Sequence, residues 1–329
     1  MKRQVTGVLA TMMVLGAAVG GGSAIAQDSD KFPRQPILFV VAGQPGGGAD
    51  IQARNIVAAI ERAQIIDEPA AVLNKGGGGS QEPFTFVADR EGNPHYLLAA
   101  TAQYLTYTLT GQAAYQLDQF TPIASLISDP SVVVVPKDSP LETYEDLIAA
   151  AKADPGKINH GGGITGAQDH MSILVQEEVT GAKFNFVSFG GGADLHAAIL
   201  GGHIDVASGN PSDFLSSLAS GDLRCLAILN AERSTAPVID ACPTAKEQGY
   251  DIQWDIFRGW VAPAGLEASD IQGLEDILRA VTEDETFKKD YIEKNGQTLN
   301  FLGHEAFSER LASDRERYVQ LLTNAGILK

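Results

Sequence analysis

Val40-Val41-Ala42-Gly43-Gln44-Pro45-Gly46-Gly47-Gly48-Ala49-Asp50 joins the first clear strand of the chain to its first clear helix. Ahead of it, residues 37–41 form a short, continuous apolar run rich in β-branched side chains, the pattern of a strand covered on both faces. After it, Ile51, Ile56, Val57 and Ile60 recur at roughly helical spacing, which predicts a helix over 50–62. A turn without β-carbons therefore opens onto a helix N-terminus, whose first N–H groups are unpaired and carry the positive end of the dipole. An anion suits such a place. Gly43 and Gly48 have the spacing of a Walker loop, but Ala49-Asp50 stands where Lys-Ser/Thr is required, and the stretch holds no G-x-G-x-x-G. Taken alone, it is equally compatible with a tight turn that needs glycine only for positive φ.

The same grammar repeats. A strand over 70–74 leads through Lys75-Gly76-Gly77-Gly78-Gly79-Ser80 to a helix over 82–88, and a strand over 95–100 leads through Thr101-Ala102-Gln103 to a segment over 104–110. Apolar segments over 121–127 and 131–135, separated by Asp129-Pro130, mark a passage between two lobes. Beyond them, Thr143 and Asp146 form a capping box for a helix over 143–153. Glycine turns at 161–166 and 190–192, and Ser208-Gly209-Asn210-Pro211, precede three further helices. Strands alternating with helices at this spacing predict parallel sheets flanked by helices, with ligands at the carboxyl ends of the strands. The glycines cluster at those ends. After the strand around Cys225 the pattern loosens to a strand over 252–261 and helices over 269–282 and 305–324.

Met1-Lys2-Arg3, a small apolar segment over 5–19 and Ala24-Ile25-Ala26 follow the three-part grammar of a cleavable secretory signal, with the mature chain starting at Gln27. The glycines between Gly16 and Gly22 make a retained anchor the poorer reading, and no other apolar run is long enough to span a bilayer. Export to a bacterial periplasm is the expectation. Cleavage would remove Lys2 and Arg3 and no acid, taking the net charge from −17 to −19. So acidic a chain, without a basic stripe, is no partner for nucleic acid or an anionic membrane. Any anion site must be made locally, from backbone amides or a single placed arginine. A chain of this length suits two lobes better than one core.

Cys225 and Cys242 are the only cysteines; in an oxidising compartment a bridge between them and two separate buried thiols are both compatible with their positions. No G-x-S-x-G, H-E-x-x-H, C-x-x-C or EF-hand loop is present, and the six histidines lack metal-ligand spacing. Neither a catalytic residue, a metal nor a cofactor is expected. His170, in the first turn of the helix after the 161–166 loop, is read as tying that loop down.

An ordered set of motifs then resembles the solute-binding proteins of tripartite tricarboxylate transporters, the TctC or Bug-type receptors, over essentially the whole mature length. It comprises Gln44-Pro45-Gly46-Gly47-Gly48-Ala49-Asp50, Asn74-Lys75-Gly76-Gly77-Gly78-Gly79, the 161–166 turn with His170, and Ile199-Leu200-Gly201-Gly202-His203-Ile204-Asp205. Leu223-Arg224, Glu232-Arg233, Pro243-Thr244, Glu247-Gln248-Gly249-Tyr250 and Ala262-Pro263-Ala264-Gly265 continue it in order. The family's first loop usually has proline where Gln44 stands here. The resemblance implies a two-lobed α/β periplasmic binding protein of type II, a Venus flytrap whose lobes are each a mostly parallel sheet flanked by helices. The lobes are placed at 27–127 plus 231–329 and at 128–230. It further implies a binding protein, not an enzyme, that captures a small di- or tricarboxylate and delivers it to membrane permease subunits; a monomer is the default expectation. A ligand-sensing component for a signalling receptor and a secreted α/β enzyme are the alternatives. Carried over as ligand-binding are Gln44, Gly46, Gly47 and Asp50 from the first loop and Gly163, Thr165 and Gly166 from the facing one. Gly79, Thr101, Gly191 and Asn210 are added because each lies at a strand end. Arg258, between aromatics, either pairs with a ligand carboxylate or forms an interlobe ion pair. Asp50 either meets a ligand donor or caps its helix.

Overall fold

In the computed structural model, which describes residues 32–43, 45–76 and 81–328, the chain begins with three strand-to-helix units. They are β1 (Ile37–Ala42) and α1 (Gly48–Ala63), β2 (Ala70–Lys75) and α2 (Glu82–Ala88), and β3 (Tyr96–Ala100) and α3 (Ala102–Leu109). The long β4 (Phe120–Pro130) then passes into β5 (Val132–Pro136) and α4 (Tyr144–Ala153). Three more units follow: β6 (Asn159–Gly162) with α5 (Gln168–Thr180), β7 (Asn185–Ser188) with α6 (Gly192–Leu200), and β8 (Val206–Gly209) with α7 (Pro211–Ser220). After β9 (Leu223–Ile228) come β10 (Asp255–Pro263), α8 (Ala268–Glu283), β11 (Thr298–Leu302) and α9 (His304–Asn324). The expected leader lies outside the described residues. Among the described residues no helix is long and apolar enough to cross a membrane.

The strands form two sheets, ordered β11-β4-β10-β3-β1-β2 and β7-β6-β8-β5-β9. Both are mixed rather than mostly parallel. β2, β1 and β3 pair in parallel, as do β7, β6 and β8, because a helix crosses over between each of them. β4 leaves the first sheet and β10 returns to it, so these two run in opposite senses and pair antiparallel, as do β5 and its neighbours in the second sheet.

Side-chain alternation divides the interior. Along β5, Val132 and Val134 face one core while Val133 and Val135 face another; along β1, Phe39 and Val41 oppose Val40 in the same way. One buried cluster covers a face of both sheets, and each sheet has a second core of its own on its other face.

The chain crosses between the sheets at Ser131 and again at Trp254. There Leu229 donates to the Ser131 carbonyl at 2.8 Å and Trp254 to the Leu229 carbonyl at 2.9 Å. Residues 231–254, which the sequence assigns to lobe 1, are instead tied to the second sheet. Thr244 bridges Ile228, the Ala245 N–H reaches the Ile228 carbonyl at 3.1 Å, and Cys225 is bonded to Cys242. Past Cys225 the periodicity fades and leaves that boundary unmarked. The sequence also predicts a turn over the whole of 161–166, whereas Gly161 and Gly162 lie within β6. A β-carbon on Gly161 would collide with Ile204 and Leu195, so glycine there serves helix-on-sheet packing. β11 has no sequence signature, being an edge strand without a buried residue.

The bridge joins positions 17 apart, with Cα atoms 5.7 Å apart. In the chain-entropy model a loop of about this size contributes ~3 kcal/mol. Cys242→Ser is expected to lower the unfolding free energy by that order in urea titrations. Indistinguishable midpoints for the variant, the reduced and the oxidised protein would contradict this.

Candidate functional site

Because each strand leads through a turn into a helix, helix N-termini gather at the carboxyl ends of both sheets. They surround one cavity of about 290 Å³. Gly48 and Ala49 opening α1, Thr101 and Gln103 at the start of α3, and Arg258 from β10 line it from the first sheet. From the second come Gly163, Ala167 and Asp169 at α5, Gly190 to Gly192 at α6, and Asn210 and Asp213 at α7. Five helix N-termini thus point positive ends at one space. A larger groove of about 550 Å³ lies between α8 and α9, but its helix end is already capped, with Glu275 Oε2 2.7 Å from the His304 N–H. It presents no lysine or arginine, and its lining includes the acids Glu275 and Glu305.

Of the residues singled out in the sequence, Thr101, Gly163, Gly191, Asn210 and Arg258 line the cavity together. Gln44 and Gly79 lie outside the described residues. Gly46, Gly47, Asp50, Thr165 and Gly166 are not in its lining. Asp50 turns back on its own loop, accepting the Gly46 N–H at 2.8 Å and Arg54 Nε at 2.9 Å. The facing loop is similarly closed on itself: Gly163 N–H donates to Asp169 Oδ2 at 2.9 Å and Gly166 N–H to His170 Nδ1 at 3.0 Å. Burial pushes His170 down to about 4, so its imidazole is neutral and Nδ1 can accept. It stacks on Phe186 with ring centroids 4.0 Å apart. Gly161, Gly163 and Gly166 do stand at G-x-G-x-x-G spacing from within β6 to the turn before α5. With two of those amides occupied and a carboxylate beside them, they make no pyrophosphate cradle. Helix geometry leaves first-turn donors along the lining at Gly48 and Ala49 of α1, and also at the starts of α3 and α6.

Arg258 is 6% exposed, and its Nε donates to Asp129 Oδ2 on the neighbouring strand β4. Both residues belong to the first sheet, so the pair is not interlobe. The pairing leaves the guanidinium's far side turned to the cavity, and a β-carbon on Gly48 would stand 2.9 Å from Nη1. A side chain at 48 would require the guanidinium to shift. Burial opposes the charge on Arg258, but nearby carboxylates, Asp129 foremost, outweigh it and keep the guanidinium ionised.

Two acids that sequence reasoning missed complete the site. Asp169, in the first turn of α5, is 8% exposed, and its Oδ1 has no hydrogen-bond partner. Asp213, in the first turn of α7, is so close to α6 that a β-carbon on Gly192 would overlap its carboxylate. Burial, reinforced by the charge of Asp213, pushes Asp169 up to about 7, and burial likewise raises Asp213. First-turn acids are common helix signals, so nothing in the sequence sets these two apart.

An acid whose folded pKa is raised keeps a proton that the unfolded chain has lost. Asp169 therefore costs stability progressively as pH rises from about 4 to about 7. Asp169→Asn retains an acceptor for Gly163, and its Tm advantage over the wild type is expected to grow across that window. Parallel Tm profiles would contradict it.

The model of the tripartite tricarboxylate transporter family receptor, TctC, matches residues 53–321. A TctC solute-binding protein from Polaromonas, solved with no ligand, is 26% identical, with 89% of this chain and 100% of that chain covered and a TM-score of 0.75. Rpa4515 from R. palustris, solved with adipate, is 21% identical, with 91% and 99% covered and a TM-score of 0.79. MatC from Rhodopseudomonas palustris, solved with bound malate, is 21% identical, with 88% and 100% covered and a TM-score of 0.74. The last two share the fold. The chain belongs to the TctC family of tripartite tricarboxylate transporter receptors.

Proposed function

We propose that the protein is a periplasmic solute-binding receptor. It captures a small di- or tricarboxylate between two lobes, performs no chemistry on it, and delivers it to the membrane permease of a tripartite tricarboxylate transporter. Its lobes are residues 32–130 with 255–328 and residues 131–254, and the segment over 1–26 directs export. The observation that carries this reading is the convergence of helix N-termini and one buried arginine on a single cavity in an otherwise acidic chain. The adipate and malate held by two proteins of this fold support the ligand class. Thr101, Gly163, Gly191, Asn210 and Arg258 touch the ligand in this reading, while Gly46, Gly47 and Asp50 shape the loop behind it. A carboxylate bridging both lobes stabilises only the closed form, so binding drives closure.

A panel of small carboxylates, amino-substituted ones included, is expected to raise Tm in a concentration-dependent way. At 100 times Kd the stabilisation should approach ~2.7 kcal/mol. NMR should recover the ligand unchanged. Sugars that shift Tm while every carboxylate fails would contradict the ligand class.

Arg258→Gln removes a charge-assisted bond of about 1.5–3 kcal/mol, so carboxylate Kd should rise roughly 10- to 100-fold. Because the single variant strands Asp129, the double variant Arg258→Gln, Asp129→Asn serves as its control. The double variant is expected to recover folding stability without recovering affinity. Full affinity in the double variant would remove Arg258 from the site.

A further inference from the structure

The charges around the cavity are segregated. Among the described residues its charged lining groups are Arg258 from the first sheet and Asp169 and Asp213 from the second. Asp50, the first-turn acid of α1, is turned onto Gly46 and Arg54 and stays out of the lining. On the first-sheet side the helix dipoles and the guanidinium therefore act together on an anion. On the second-sheet side, α5 and α7 already carry acids in their first turns, the Gly163 amide is occupied by one of them, and α6, whose glycine turn also lines the cavity, starts against the carboxylate of the other. That side is therefore less favourable to a negative group than the first.

We infer that the cavity is bipolar and selects a carboxylate that also carries an ammonium group, the carboxylate lying against Arg258 and the first turn of α1 and the ammonium between Asp169 and Asp213. This narrows the carboxylate-receptor reading above and rests on it. Asp169 is the pointer to the second half of the ligand: it lines the cavity, is 8% exposed, and its buried Oδ1 has no hydrogen-bond partner. Such an atom is destabilising until a donor meets it. A ligand hydroxyl would supply a donor but no charge, and two neighbouring carboxylates need charge. Asp169, pushed up to about 7, is only partly ionised at neutral pH, and a cation between the two acids would let both ionise. No group of three His, Cys, Asp or Glu that could hold a metal ion occurs among the described residues, so the positive charge is assigned to the ligand itself. A plain dicarboxylate would instead set its second negative group against Asp169 and Asp213.

Calorimetric titration of the mature protein with aspartate, succinate and malate, and with glutamate and glutarate, tests this. Each amino acid is expected to bind at least about tenfold tighter than its deaminated or hydroxylated counterpart, as a charge-assisted bond allows. Asp169→Asn and Asp213→Asn preserve side-chain shape. In either variant the preference should shrink to within about threefold, with succinate affinity held or improved and aspartate affinity reduced. If succinate or malate binds the wild type as tightly as aspartate, or if both variants keep the wild-type preference, the inference is overturned while the carboxylate receptor stands. If no member of either series binds, both fall together.

Discussion

The buried pair of Arg258 and Asp129 fixes a positive charge where an acidic chain has none to spare. Asp129 stands two residues before the first passage between the sheets, and Arg258 lies on the strand that returns from the second. With relative exposures of 6% and 0%, both charges are withdrawn from water. A buried ion pair is weak evidence for stability, since desolvation offsets most of its attraction. Its consequence here is positional. Asp129 holds the guanidinium by Nε, which leaves its other face against Gly48 and the start of α1. The net charge of −17 makes long-range attraction of an anion impossible, so the site depends on charge placed within a few ångströms.

The remaining anion-attracting groups are main-chain dipoles, and their placement follows from topology. In each lobe, parallel strands joined by crossover helices deliver helix N-termini to one end of a sheet, and the passages at Ser131 and Trp254 turn those two ends towards each other. Side chains hold several of the loop amides. Asp50 holds Gly46, Asp169 holds Gly163 and His170 holds Gly166. Their side chains pre-organise the turns, so fewer loop amides are free for a ligand than a glycine count suggests.

Much of this architecture was legible in the sequence where one signal sufficed. The β1–α1 unit follows from a β-branched run and a helical apolar stripe, and the capping box of Thr143 and Asp146 closes with bonds of 2.9 and 3.1 Å. His170 does tie its loop. Illegible features were those decided by neighbours distant in sequence. Gly161 and Gly162 resemble a turn until Ile204, Leu195 and Phe186 are packed against them. The 231–254 segment shows its allegiance only through the bridge from Cys242 to Cys225 and the pairing of Thr244 with Ile228. Asp169 and Asp213, 44 positions apart in the chain, become a pair only when α5 and α7 start at one cavity.

The most direct measurement is a crystal structure of the protein grown with a bound dicarboxylate or amino-dicarboxylate. A carboxylate should lie between the far side of the Arg258 guanidinium and the first-turn amides of α1, with donor–acceptor distances of about 2.7–3.1 Å. Ligand density in the groove between α8 and α9, or in the cavity with its carboxylate turned to Asp169 and Asp213, would contradict it.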